Sequence, residues 1–125
     1  MSLEVTKIEV VGKTIKEFDP THILFEDGCE LKFFHNQDCC EYVGVEEVIG
    51  APEDHVGATV ISIEEVSENA DCNYGIAQWT FYKFKTSAGY LTVRWRGESN
   101  GYYSIEVDWH VLGPDGEMLQ GARKW

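Results

Sequence analysis

The sequence predicts a mainly β domain, an antiparallel sandwich or curled sheet of hairpins with one short helix near residues 52–57. Three observations predict this class. Apolar and polar residues alternate with a period of two in several segments, β-branched and aromatic residues are concentrated there, and turn-forming residues separate the segments. Because 125 residues suit one domain, we expect residues 1–125 to form a single domain, with residues 1–3 either native or left by an expression vector.

The first predicted strands form a meander before residue 50. They lie at residues 4–11, 22–26, 29–34 and 39–49. The Asp27-Gly28 pair between two of these strands is a strong hairpin signal. A second turn at residues 35–38 would place Phe33 opposite Cys40 in a further hairpin.

One helix signal and one loop signal interrupt the strands. Pro52 suits the first turn of a helix, acidic residues follow near its positive end, and Gly57 suits its end. Residues 59–66 alternate again and predict a strand. Residues 67–75 have no periodicity, and we expect them to form a mobile loop.

The most regular section begins at residue 79. Its predicted strands are residues 79–85, 90–96 and 102–111, with turns at residues 87–89 and 97–101. The second of these hairpins would place Leu91 opposite Val107. The side chains predicted to enter the core are Leu91, Val93, Trp95, Tyr103, Ile105, Val107 and Trp109. Pro114-Asp115-Gly116 predicts a tight turn before a short closing strand within residues 117–121.

An aromatic surface is predicted on the other side of this section. The residues assigned to the face opposite Phe81 and Leu91 are Tyr82, Phe84, Tyr90 and Arg94. Tyrosine with arginine is typical of interface hot spots. We expect Phe84 to be buried and Tyr102 to be exposed. The predicted binding residues are Arg94, Arg96, Tyr102, Glu46 and Glu47.

The negative charge is confined to one section of the sequence. The formal charge of the chain is −12, and residues 26–71 carry thirteen acids against the single base Lys32, which is also a balance of −12. Direct binding to nucleic acid is therefore not expected, because phosphate binding requires a cationic surface. The acidic section is interpreted either as a docking surface for a basic partner, including one that itself binds nucleic acid, or as side chains that only solvate the surface.

Candidate metal ligands are concentrated in one segment, where His35, Asp38, Cys39 and Cys40 are of the types that zinc prefers. Adjacent strand residues point to opposite faces, so Cys39 and Cys40 reach one ion only if a bulge or turn re-aims one of them. The favoured interpretation is structural, with one buried cysteine, a turn organised by His35 and Asp38, and no cofactor. A zinc site is the alternative. A reactive thiol ranks below both, because neighbouring carboxylates raise a thiol pKa.

No motif of a familiar catalytic type is present in the sequence. The chain has no Gly-rich phosphate loop, no G-x-S-x-G and no paired-histidine metalloprotease motif, so a non-enzymatic protein is favoured. No apolar run approaches the roughly 18 residues that cross a bilayer. The N-terminus also lacks the order of a signal peptide. We expect a cytoplasmic protein that does not associate with membranes and keeps its cysteines as reduced thiols.

Two segments together resemble an uncharacterised family of small proteins found in bacteriophages and bacterial genomes. They are H-x-x-D-C-C-E at residues 35–41, and W-T-F-Y-K-F at residues 79–84 followed by R-W-x-G-E-S-N-G-Y-Y-S at residues 94–104. The resemblance spans residues 27–108. It implies a phage or prophage setting in a bacterial host, and no particular activity.

The sequence thus predicts a small acidic protein that binds a protein partner of the host or the phage without catalysing a reaction. Two alternatives stay open. One is a zinc-type metal-binding protein that uses residues 35–40, and the other is a structural or assembly protein that self-associates. The sequence favours no particular oligomeric state.

Overall fold

The computed structural model describes residues 4–8, 10–35, 41–70, 75–100, 105 and 107–121. These residues are folded mainly into strands. The strands are β1 (Glu4–Lys7), β2 (Ile15–Asp19), β3 (His22–Phe25), β4 (Glu30–Phe34), β5 (Tyr42–Ile49), β6 (Val60–Asn69), β7 (Ile76–Thr86), β8 (Gly89–Ser99), β9 (Asp108–Leu112) and β10 (Met118–Gly121). A 3₁₀ helix spans Pro52–His55. The predicted class, mainly β with one short helix, is confirmed.

The strands form two antiparallel sheets of five strands each. Sheet 1 has the order β1-β6-β7-β8-β5, and sheet 2 has the order β10-β9-β4-β3-β2. One core contains buried apolar residues of both sheets. For example, the ring centroid of Phe33 in β4 lies 4.3 Å from that of Tyr82 in β7. The described residues contain no helix with the length and apolar character needed to cross a membrane.

Local turn chemistry produces the confirmed hairpins. At the predicted Asp27-Gly28 turn, the Phe25 N–H donates to the Cys29 carbonyl at 2.9 Å, and Gly28 has a φ of +90°, which favours glycine. β7 and β8 form the second hairpin. The turn containing Pro114 also forms, and β10 is the predicted closing strand.

Two predicted hairpins are wrong because the chain changes sheets. β4 pairs with β3 and β9, whereas β5 pairs with β8 in sheet 1, so β4 and β5 are not neighbours. Likewise β9 pairs with β4 and β10, so Leu91 does not face Val107. The alternation of apolar and polar residues indicates which side of a strand is buried, but it does not indicate which strands pair with it. The predicted core residues that the structure describes are all buried. Tyr103 lies outside the described residues.

The loop predicted over residues 67–75 is wrong for residues 67–69. β6 continues to Asn69, and Ser67 and Glu68 pair with Thr80 and Trp79 of β7. The ladder joins backbone groups, so it continues past the point where the side chains lose their apolar alternation. Residues 71–74 lie outside the described residues.

Candidate protein-binding surface

The face of sheet 1 that points away from sheet 2 brings together most of the predicted binding residues. In β7, Thr80, Tyr82 and Phe84 point into the core, so Trp79 and Phe81 point outward. The strand register places Trp79 opposite Arg96, and Phe81 opposite Arg94. We call this surface the Trp79 face. It comprises Tyr42, Glu46, Glu47, Val66, Trp79, Phe81, Arg94, Arg96 and Glu98.

Two arginines stack against the indole of Trp79. The guanidinium carbon of Arg94 lies 4.5 Å from the ring centroid, and that of Arg96 lies 4.8 Å from it. A cation over an indole face is attracted by the ring quadrupole. Trp79 is half-buried as a result, with the two guanidinium planes as its neighbours on β8.

Carboxylates hold both guanidinium groups in place. Arg94 Nη2 lies 2.9 Å from Glu47 Oε1, and Arg96 Nε donates to Glu98 Oε2 at 2.5 Å. These pairs are partly exposed, so each contributes little to global stability. Their main effect is to fix the orientation of the two arginines over Trp79.

Tyr42 covers the β5 side of the Trp79 face. Its hydroxyl donates to Glu46 Oε2 at 3.2 Å, and its ring passes over Gly44, where a Cβ would lie 2.7 Å from the hydroxyl oxygen. Desolvation raises the pKa of Tyr42, and the hydrogen bond to Glu46 and the nearby carboxylates raise it further. Glu46 is the extra residue of a β-bulge, because Val45 and Glu47 pair with consecutive residues of β8.

Charge on this face is arranged as a basic centre with acidic flanks. β7 and β8 carry Lys83, Arg94 and Arg96 on the outer side, whereas β5 carries Glu46 and Glu47. On the opposite flank, β6 carries Glu64 and Glu68. The single acidic section expected from the sequence is therefore divided in space, because β5 and β6 lie on opposite sides of the β7–β8 hairpin and β4 belongs to the other sheet.

The aromatic residues on the outer face differ from those that the sequence predicts. Tyr82 and Phe84 lie in the core with Leu91, so the burial expected of Phe84 is confirmed and the surface role of Tyr82 is wrong. Tyr90 is 73% exposed and lies on the outer side. The aromatic residues of the outer face that sequence reasoning missed are Trp79, Phe81 and Tyr42.

Of the predicted binding residues, Arg94, Arg96, Glu46 and Glu47 share the Trp79 face. Tyr102 lies outside the described residues. The structure thus unites four of the five on one surface, and their role in binding stays a prediction.

The candidate metal segment is described only at its ends. His35 Nε2 lies 3.0 Å from Glu41 Oε2, and these side chains are 7% and 0% exposed. Asp38, Cys39 and Cys40 lie outside the described residues. Across the ranges the structure describes, no three His, Cys, Asp or Glu side chains are arranged to hold a metal ion. Cys29 is a free, buried thiol.

A second buried carboxylate lies in the core. Tyr82 donates its hydroxyl hydrogen to Glu65 Oε2 at 2.5 Å, directly across the β6–β7 ladder. A buried carboxylate needs such donors, because losing water without replacement is costly. Sequence reasoning missed this pair, since a glutamate within an alternating strand is normally assigned to the wet side.

The fold and this surface define an antiparallel β-sandwich domain with a charged, aromatic outer face. The chain belongs to a family described as a domain of unknown function (DUF7448), whose model matches residues 8–109. That range extends from the residue after β1 into β9. No curated protein and no solved structure shows significant similarity to the chain.

Proposed function

We propose that this protein is a non-enzymatic binding module whose Trp79 face docks onto a basic protein. The observation that carries the proposal is the stacking of two carboxylate-held arginines on one half-buried tryptophan. Tryptophan and arginine are the residues most enriched in interface hot spots. Side chains that are already ordered lose little conformational entropy when a partner binds, which favours affinity.

The surroundings of Trp79 resemble the anatomy of an interface. The half-buried Phe81 adds apolar surface on the same side of β7 as the indole, next to the buried Val66 of β6, and charged residues flank it. An apolar surface of this kind excludes water from the contact, while the charged rim sets orientation and association rate. The proposal therefore assigns affinity to Trp79 and its arginines, and partner choice to the rim.

The distribution of charge supports a basic partner. Carboxylates of Glu46 and Glu47 lie on one flank of the face and those of Glu64 and Glu68 on the other, and the formal charge of the chain is −12. A partner with lysines or arginines around an apolar knob fits this pattern, and a protein that itself binds nucleic acid has such a surface. The proposal includes a phage or prophage setting and a host or phage partner, both through the resemblance of residues 35–41, 79–84 and 94–104. It also includes a cytoplasmic site of action.

The test compares two variants, each of which replaces an aromatic residue by alanine, one in sheet 1 and one in sheet 2. Trp79→Ala removes the centre of the face, and Phe34→Ala removes a half-buried aromatic from sheet 2, where it contacts His110. Wild type and Phe34→Ala should recover the same basic protein from host lysate at low salt and less of it at moderate salt, whereas Trp79→Ala should recover none. Equal recovery by all three proteins, or no partner at either salt, would count against the proposal.

Metal binding is the second candidate, and one observation favours it. A metal-binding histidine usually donates its other ring N–H to a carboxylate or a similar acceptor, which fixes the tautomer and orientation of the ring. His35 and Glu41 have this relationship. In this proposal His35, Asp38, Cys39 and Cys40 hold zinc, and Glu41 orients His35. Elemental analysis of protein purified without chelator tests it, and a zinc content far below one ion per chain rejects it.

A further inference from the structure

We propose that the outer edge of β5 accepts an extended, basic segment of the partner as a sixth strand of sheet 1. This inference rests on the proposed function and specifies how the partner docks. Strand addition at a free sheet edge obtains affinity from backbone hydrogen bonds and specificity from alternate side chains.

Of the sheet edges formed by the strands that the structure describes, that of β5 is the most available. Among the described residues, it pairs with β8 alone and is eight residues long. The edge strands β1 and β10 have four residues each. The edge of β2 is partly covered, because the Gly57 N–H donates to the Ile15 carbonyl at 2.7 Å. β5 thus offers the longest edge for pairing.

The inner side of β5 is incompletely covered. Val43, Val45 and Val48 pack against the core but are only partly buried, whereas Val93 and Trp95, which pair with two of them in β8, are buried. A strand added beside β5 would cover the remaining apolar surface with its own inward side chains. Burial of apolar area would then add to the hydrogen bonds of the new ladder.

Charge on β5 selects a basic occupant. Glu47 points outward and the bulged Glu46 reaches the same side to accept the Tyr42 hydrogen bond, so cations at alternate positions of an added strand would face carboxylates. A second copy of β5 would instead bring glutamates against glutamates, which disfavours self-pairing. The occupant is therefore a basic segment of another protein.

The test uses a synthetic peptide that needs no knowledge of the partner. An eight-residue peptide of alternating lysine and valine, as long as β5, is compared with a control in which proline replaces two valines. The control keeps the charge but removes backbone donors. Hydrogen exchange of the amides of residues 42–49 is the readout, because strand addition protects the edge.

The lysine–valine peptide should slow exchange in β5 by about fivefold or more, and the proline peptide should not. Protection should fall in the protein carrying both Glu46→Lys and Glu47→Lys. Three results would overturn the inference: no protection of β5 by either peptide, equal protection by both, or protection caused by a dimer of the protein without peptide, as seen by sedimentation. If Trp79→Ala abolishes partner capture but β5 stays unprotected, strand addition fails while the proposed function survives.

Discussion

The guanidinium carbon of Arg94 lies 4.5 Å from the centroid of the Trp79 ring. Arg94 also pairs with Glu47, so the side chain of Arg94 in β8 connects Trp79 of β7 with Glu47 of β5 on the outer side of the sheet. Here an aromatic ring, a cation and an anion are held in one arrangement, which is the preorganisation that a binding surface needs.

Arg94→Lys should weaken binding of the captured partner while leaving the fold intact. Lysine keeps the positive charge but loses the planar group that stacks on the indole and pairs with Glu47. We expect a loss of about 1 kcal/mol of binding free energy, or about fivefold in Kd, measured by titration calorimetry. The unfolding midpoint in urea should shift little. An unchanged Kd would show that Arg94 does not contribute to binding.

The pair Lys13–Asp27 should give a pH-dependent contribution to stability. Lys13 Nζ lies 2.6 Å from Asp27 Oδ2, and this hydrogen bond lowers the pKa of Asp27 from its ordinary 3.8 and raises that of Lys13 from 10.5. The stabilisation by Asp27 is lost as the pH falls through its lowered pKa, and that by Lys13 is lost as the pH rises through its raised pKa. Both side chains are partly exposed, so the contribution is below about 1 kcal/mol.

Urea unfolding across pH measures this contribution. Near neutral pH, Lys13→Met should have a lower free energy of unfolding than the control Lys16→Met. The two substitutions change the net charge equally. The difference should disappear well below pH 3.8, the ordinary aspartate pKa. A difference that persists in acid would mean that Lys13 acts through packing.

Gly97→Ala should destabilise the fold because the chain passes close to this glycine. A Cβ at position 97 would lie 2.5 Å from the carbonyl oxygen of Ile105 and 2.8 Å from its Cβ. Overpacking of this kind costs about 1–3 kcal/mol. Gly113→Ala is the matched control, since the nearest atom to its Cβ would be 3.4 Å away. Chemical unfolding should give a much lower free energy of unfolding for Gly97→Ala than for Gly113→Ala. Equal stabilities would contradict the close approach.

Tyr82→Phe should also destabilise the protein, since it removes a donor from the buried carboxylate of Glu65. A hydrogen bond contributes about 0.5–1.5 kcal/mol to stability, and more where its acceptor is ionised. A double-mutant cycle with Glu65→Met, which removes the acceptor oxygens, isolates the pair, and we expect a coupling of about 1 kcal/mol or more. Additive losses in the unfolding free energy would show that the two side chains act independently.

The sequence was sufficient for the fold class and for hairpins governed by local turn chemistry, as at Asp27-Gly28. It was insufficient where the chain changes sheets. Phe33 and Trp109 are both apolar residues of alternating strands, and nothing in their alternation indicates that they pair with each other. Long-range pairing of this kind depends on how two sheets divide the strands between them.

The sequence did not predict all of the candidate surface, because a difference of one residue in the turn between β7 and β8 changes which side chains share a face. A three-residue turn at residues 87–89 puts Tyr82 and Arg94 on the same face. The actual pairing of Thr86 with Gly89 leaves a two-residue turn and moves Tyr82 into the core. The same pairing places Trp79 opposite Arg96. Alternation alone would therefore have identified the Trp79 face if the turn had been assigned two residues.

Site-specific photo-crosslinking tests the central claim, that the Trp79 face binds a basic protein, most directly. A photoreactive residue replaces Lys83 on the outer side of sheet 1 or, in the control, the exposed Lys32 on the outer side of sheet 2. We predict a crosslink to one basic protein from Lys83 alone, lost when Trp79→Ala is added and weakened by salt. A crosslink from Lys32, equal crosslinks from both positions, or a Lys83 crosslink that survives Trp79→Ala would contradict the claim.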